Sequence, residues 1–363
     1  MFWGVAALML LGLPATGILL AGRPLQRYLE FPPVTRYIHP APFSGWIFAL
    51  FTLIDLSLVV GLGVLLARAH SRKPLPSPQA HGFPFWGWAG VMLMLFGWYV
   101  AWTRLEWLRP IQAQTYCLPW SGYILAVNAW CIRRSGRSLL TDHPRRFAVL
   151  FAASALFWWF FEYLNRFMQN WHYVGVSDFS AGSYFLLASL AFATVLPAVL
   201  STYRLLLTFA VLNPGLKRLT VSKALDSGIA ACIMLLLAAA ALTLLGIFPD
   251  PLFSTVWFAP LLILTGLQRL SGRCTLFTPL RRGDWRPIVA AAAAALICGF
   301  FWELWNIHSL ARWEYAVPYV DRFRLFAMPI LGYGGYLPFG LECLAVGQMV
   351  SGDRLLLIQP TDR

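Results

Sequence analysis

Two glutamates, each at the end of a hydrophobic stretch, stand three residues ahead of an asparagine and a short way ahead of a Trp-x-Tyr triplet. The first set is Glu162, Asn165, Trp171 and Tyr173; the second is Glu303, Asn306, Trp313 and Tyr315. Pro197 of LPAVL and Pro338 of LPFGL extend the match, at an offset of about 141 positions. Five pairs in register point to a duplication. The i, i+3 spacing puts each Glu and Asn on one face of its helix. A carboxyl group in apolar surroundings is a candidate general acid, and the aromatic runs before each Glu, WWFF at 158 to 161 and FFW at 300 to 302, offer ring faces that attract a cation. Two readings stand for each Glu: an acid that does chemistry, or an interfacial anchor hydrogen-bonded to a nearby indole. The aromatics likewise read either as a cation-holding wall or as an interfacial belt.

A third carboxyl, Glu342, lies in AMPILGYGGYLPFGLECLA. Two prolines and four glycines predict a broken or kinked helix, tolerated within a membrane beside a cavity; close packing through small residues is the alternative. Glu342 needs a partner or a proton, and Arg166, Arg312 and His308 are the candidate partners. The kink at Pro338 is expected to turn Glu342 toward Glu303, in a shared space lined by Trp302 and Trp313. The candidate catalytic residues are therefore Glu162, Glu303 and Glu342. The candidate binding residues are Asn165, Asn306, Trp171, Trp302, Trp313, Tyr173, Tyr315, His308 and Pro338. Asp55, within LFTLIDLSLVV, is a further acid in an apolar segment, without a counterpart in the duplication.

The elements that must position these groups are membrane helices. The 363 residues are 59% hydrophobic and only 12% charged, with a mean hydropathy of +0.65, outside the soluble globular range. A span needs roughly 20 apolar residues. Such stretches occur at about 2 to 21, 43 to 67, 82 to 103, 110 to 132, 147 to 167, 183 to 205, 227 to 248, 252 to 270, 288 to 307 and 326 to 350. The prediction is an all-α, multi-pass bundle of about ten helices in one membrane domain covering 1–363. Its copies at about 147–205 and 288–350 are separated by four helices, so they are parallel repeats. WYVAWTRLEW before CLPWSGY, within 1–132, is a candidate degraded third copy.

The net charge of +13 does not point to nucleic acid, because the basic residues are spread over loops. Nineteen of the 28 fall in the loops after even-numbered helices and in the tail. The positive-inside rule then places both termini in the cytoplasm of a bacterial inner membrane, with both Glu motifs near the outer surface. The first stretch lacks a basic leader and a clean cleavage site, and reads as a retained helix. The six cysteines lack metal-ligand spacing and read as apolar fillers, and no pair of histidines suits haem or a di-metal centre. No metal and no cofactor are expected.

The order Trp302-Glu303, Trp313-x-Tyr315 and then Leu337-Pro338-Phe339-Gly340-Leu341-Glu342 resembles the lycopene cyclase domain of small membrane carotenoid cyclases and the related hydratases, whose pattern runs Trp-Asp, Trp-x-aromatic, Pro-x-Glu-Glu. It covers about 45 residues in each copy. Glu replaces Asp, one Glu stands four positions after the proline in place of a pair, and the first copy lacks that Glu. The resemblance implies an integral membrane enzyme that protonates an isoprenoid double bond, with Glu303 and Glu342 as acids and no redox cofactor. The partners expected are the lipid bilayer and a hydrophobic isoprenoid or lipid substrate. From the residues themselves two other classes stay open: a transporter or channel coupled to ions or protons through its acids, and a non-catalytic subunit of a membrane complex.

Overall fold

The computed structural model describes residues 2–70, 81–209, 212, 216, 219 and 221–352. The polar stretch around residue 75 and the tail beyond 352 lie outside these. Among the described residues, seven helical stretches are long and apolar enough to cross a bilayer. They are α1 (Phe2–Leu20), α2 (Gly45–His70), α3 (Phe85–Trp102), α5 (Pro144–Met168), the pair α6 (Ala181–Phe192) and α7 (Val195–Leu206) joined as one stretch, α8 (Gly228–Leu245) and α10 (Arg286–Asn306). The chain is a mostly helical, multi-pass integral membrane protein.

The three other stretches read as spans depart from that pattern for physical reasons. The 110 to 132 stretch becomes α4 (Cys117–Ser135), which carries Asn128, Arg133 and Arg134 and is too polar to qualify. The 252 to 270 stretch divides into a 3-10 turn (Phe253–Trp257) and the 12-residue α9 (Ala259–Leu270), which starts where Pro260 occupies the first turn. The 326 to 350 stretch opens as a strand and a 3-10 turn (Ile330–Gly335), and only then forms the 16-residue α11 (Tyr336–Ser351). Pro338 therefore does not kink a helix. It sits in the first turn of α11, where a backbone N–H has no helical partner to lose.

An all-α reading also missed two short antiparallel ribbons. β1 (Trp171–Val174) pairs with β2 (Arg312–Tyr315), and β3 (Arg324–Leu325) with β4 (Met328–Pro329). The WHYV and RWEY segments are rich in the aromatic and branched residues that favour strands.

Loop contacts sort into two ends of the bundle. At one end Arg134 bonds Thr208, Arg146 bonds the Ser351 carbonyl, and Asp226 holds Arg269 and Arg281. At the other, Arg23 reaches the carbonyls of Gly246 and Ile247, Arg104 reaches that of His308, and Arg36 meets His172. Between the ends, α3 and α4 pack at backbone contact. A Cβ on Gly122 would come within 2.3 Å of the Met94 nitrogen, so close approach without side chains holds this pair together.

Candidate functional site

α5 and α10 deliver Glu162 and Glu303 within their last two turns, and in both the neighbouring asparagine pins the strand that follows. Asn165 donates to the Trp171 carbonyl (2.8 Å) and accepts from its N–H (3.3 Å). Asn306 does the same to Trp313, at 2.8 and 2.9 Å. An amide side chain carries a donor and an acceptor side by side, so it serves as a one-residue strand partner that swings the Trp-x-Tyr triplet back over the glutamate.

The two strands then pair with each other. Trp171 lies opposite Tyr315 and Tyr173 opposite Trp313. Alternation along the strands puts these four rings on one face of the ribbon, with His172 and Glu314 on the other.

Each glutamate collects its donors on a single oxygen. Glu162 Oε1 accepts from Tyr173 Oη (2.6 Å), Trp171 Nε1 (3.0 Å) and Trp158 Nε1 (3.0 Å). Glu303 Oε1 accepts from Tyr315 Oη (2.6 Å), Tyr336 Oη (3.0 Å) and Trp313 Nε1 (3.4 Å). Indole bonding of the kind an anchor would make is present, together with tyrosine hydroxyls that the anchor reading did not include. Glu303 is fully buried, and its Oε2 has no partner.

Between the two sets lies a cavity of about 140 Å³ whose wall is almost entirely aromatic and aliphatic. Trp158, Trp171, Tyr173 and Tyr184 line it on one side and Trp302, Trp313, Tyr315 and Tyr336 on the other, with Tyr116 and Trp257 between them. Among the described residues no charged side chain lines it. The carboxyls stand one layer behind, reached through the tyrosines whose rings form the wall. Trp302 stacks obliquely on Trp120 (5.3 Å) and Tyr336 (5.7 Å), and the wall is thereby backed by buried rings. The Tyr336 ring fits only because residue 299, one turn before Glu303, is glycine; a Cβ there would meet the ring at 2.3 Å.

A second, more polar chamber of about 360 Å³ adjoins the first, sharing Trp171, Tyr173, Val176, Phe179 and Tyr184 as lining. Glu162, Asn165, Arg166, Gln169, His172 and Arg36 face it.

The remaining candidates sit elsewhere. Glu342, fully buried in α11, accepts from the Leu261 N–H (3.2 Å) at the start of α9 and lines neither space. The structure does not bring it to Glu303, nor to Arg166, Arg312 or His308. Arg166 instead pairs with Glu30 (3.1 Å) and Arg312 with Glu314 (2.8 Å). His308 packs edge-on against Trp102 (4.8 Å). Pro338 is a buried first-turn residue of α11. Asp55 lies on α2, its carboxylate so close to Gly334 that a Cβ there would fall 2.4 Å from Oδ1. Among the described residues no three His, Cys, Asp or Glu side chains gather as a metal site would.

No family model matches the chain, and no curated protein or solved structure is significantly similar to it. The geometry alone carries the functional reading.

Tyr336, Trp257, Tyr116 and Tyr184 join the site without having been singled out in the sequence. Only Tyr336 left a trace there, as a tyrosine just before the LPFGLE segment.

Proposed function

We propose that this protein takes an apolar chain, an isoprenoid or another lipid, into the aromatic cavity and transfers a proton to it from Glu303 by way of the tyrosine hydroxyls. The observation that carries this reading is the double role of Tyr315 and Tyr336, whose rings face the cavity while their hydroxyls donate to one oxygen of Glu303. With Glu303 protonated, the relay runs in two linked moves: a tyrosine O–H turns from the carboxyl to the chain and gives up its proton, and the phenol oxygen takes the Glu303 proton in its place, which leaves Glu303 as the carboxylate that the same hydroxyl then serves. A cation formed on a protonated double bond would lie among indole and phenol faces, which attract it. This is the chemistry implied by the likeness to lycopene cyclases and carotenoid hydratases, with Glu303 and Glu162 in place of Glu303 and Glu342.

The reading includes a parallel duplication. The matched Asn-to-Trp bonds, the two 2.6 Å tyrosine-to-glutamate bonds and a ribbon register that exchanges Trp171/Tyr315 for Trp313/Tyr173 all support a two-fold relation between the copies. It also includes crossings by α4, α9 and α11 that bring the total near ten, and both termini on the cytoplasmic side of a bacterial inner membrane. The sorting of loop contacts to two ends supports this arrangement.

A proton-coupled transporter is the second reading, favoured by the buried and unpartnered side-chain atoms of Glu342, Gln268 and Gln348 in the neighbouring α9 and α11. The apolar cavity favours the lipid. The test is a comparison of lipid and pigment extracts from a deletion strain complemented with wild type or Glu303→Gln. An isoprenoid or lipid species that changes on deletion and is restored by wild type alone supports acid catalysis. Unchanged extracts in all strains, with a loss of proton-driven uptake, would favour transport.

A further inference from the structure

The polar chamber differs from the aromatic one in the chemistry of its wall. The loop over residues 30 to 40 roofs it, held by Gln169, whose Oε1 accepts from the N–H groups of Tyr37 and Ile38 (2.9 Å each) and whose Nε2 donates to the Thr35 carbonyl (2.8 Å). Arg36, between these tied residues, is thereby set over the chamber, 3.4 Å from His172 Nε2.

Two nitrogens just behind this wall are unspent. Arg166 is only 7% exposed; its Nη2 serves Glu30 and the Arg27 carbonyl, yet its Nε is buried without a partner. Nδ1 of His172 is likewise buried and unpartnered. Leaving such groups unmade is costly, and guanidinium edges suit oxyanions above other ligands. Among the described residues that line the chamber Glu162 carries the one carboxyl, and its Oε1 is already filled by three donors; Glu30 sits 3.1 Å from Arg166 and Glu314 3.8 Å from His172.

We propose that the outer chamber takes the phosphate headgroup of a lipid whose hydrocarbon chain lies in the aromatic cavity, with Arg36, Arg166 and His172 as the headgroup's donors. This rests on the reading that the cavity takes an apolar chain. The shared wall of Trp171, Tyr173 and Tyr184 gives both ends of such a molecule a place within one short reach.

Titration of the purified full chain in detergent micelles with farnesyl monophosphate, farnesol and inorganic phosphate tests this. Farnesyl monophosphate is expected to bind at least about tenfold more tightly than either other probe. Arg36→Gln, at an exposed position, is expected to weaken farnesyl monophosphate by about fivefold and to leave farnesol and the melting temperature unchanged; His172→Gln is expected to act in the same sense. Equal affinity for farnesol and its phosphate, or an Arg36→Gln variant that weakens neither, overturns the headgroup site while the apolar cavity stands. Inorganic phosphate binding as tightly as farnesyl monophosphate overturns it too, because the chain would then contribute nothing. If none of the three binds, the cavity reading falls with it.

Discussion

Tyr336 stands 33 residues after Glu303 in the chain, yet its hydroxyl donates to Glu303 at 3.0 Å. Its ring occupies the space left by the missing side chain of Gly299 and faces the cavity. The acid, its donor and the gap that admits the donor form one unit spread over α10 and α11.

Gly299→Ala is therefore expected to displace Tyr336. Overpacking of this kind costs about 1–3 kcal/mol, and the expected outcome is a lower melting temperature with activity reduced as far as in Tyr336→Phe. A Gly299→Ala protein that melts and acts like wild type would mean that Tyr336 has another position.

Glu303→Gln preserves shape and removes the proton. It is expected to fold, to bind apolar ligand and to abolish turnover, whereas Glu342→Gln, which keeps an acceptor for the Leu261 N–H, is expected to retain turnover. Complementation of a deletion strain, read by extract analysis, separates the two. Loss of function in Glu342→Gln with normal folding would return that residue to the chemistry.

Tyr315→Phe and Tyr173→Phe each delete a 2.6 Å bond to a buried carboxyl. Each is expected to cost about 1–3 kcal/mol, the two losses being similar because the settings match. Thermal melting in detergent measures both.

Acid should loosen the outer chamber in two steps. Burial holds His172 below the ordinary value of 6.5, helped by Arg36 and opposed by Glu314 across the ribbon. The folded protein thus binds that proton later than the unfolded chain, and the stability contributed by neutral His172 is complete above 6.5 and lost as the pH falls below it. For Glu30 burial acts upward, but bonds from the Thr35 hydroxyl and N–H, with Arg166 beside it, bring the carboxyl below 4.5. Its contribution is present above 4.5 and fades only beneath that. Melting temperature against pH is expected to fall in both windows, with the upper step absent from His172→Gln and the lower from Glu30→Gln.

Cysteines at Ser177 and Arg322, both exposed, are expected to react with an impermeant maleimide from outside the cell, and one at Arg282 to be protected, in a background where exposed Cys232 and Cys274 are serine. The reverse pattern would invert the topology.

The sequence disclosed the site where helical spacing and repetition both applied. Glu162 with Asn165 and Glu303 with Asn306 were legible as single-face pairs, and the Trp-x-Tyr triplets as their companions. What it hid depended on which surfaces meet. Nothing local says that Trp171 faces Tyr315 across a ribbon, because strand pairing joins distant segments. Glu342 looked like a partner for Glu303 until the start of α11 at Tyr336 fixed its direction toward α9. The count near ten rested on hydropathy alone; the 252 to 270 and 326 to 350 stretches are apolar enough but interrupted at Pro260 and by the turn over 330 to 335, while the 110 to 132 stretch forms a helix only from Cys117, with Asn128 inside it and two arginines just past the end of the stretch, at 133 and 134.

Five indoles, those of Trp158, Trp171, Trp257, Trp302 and Trp313, face a single small space. That concentration makes the protein its own optical sensor. A conjugated polyene seated there would drain their excited states by energy transfer and dim the ultraviolet emission, while a saturated chain of equal length would leave the emission bright and shift only its colour.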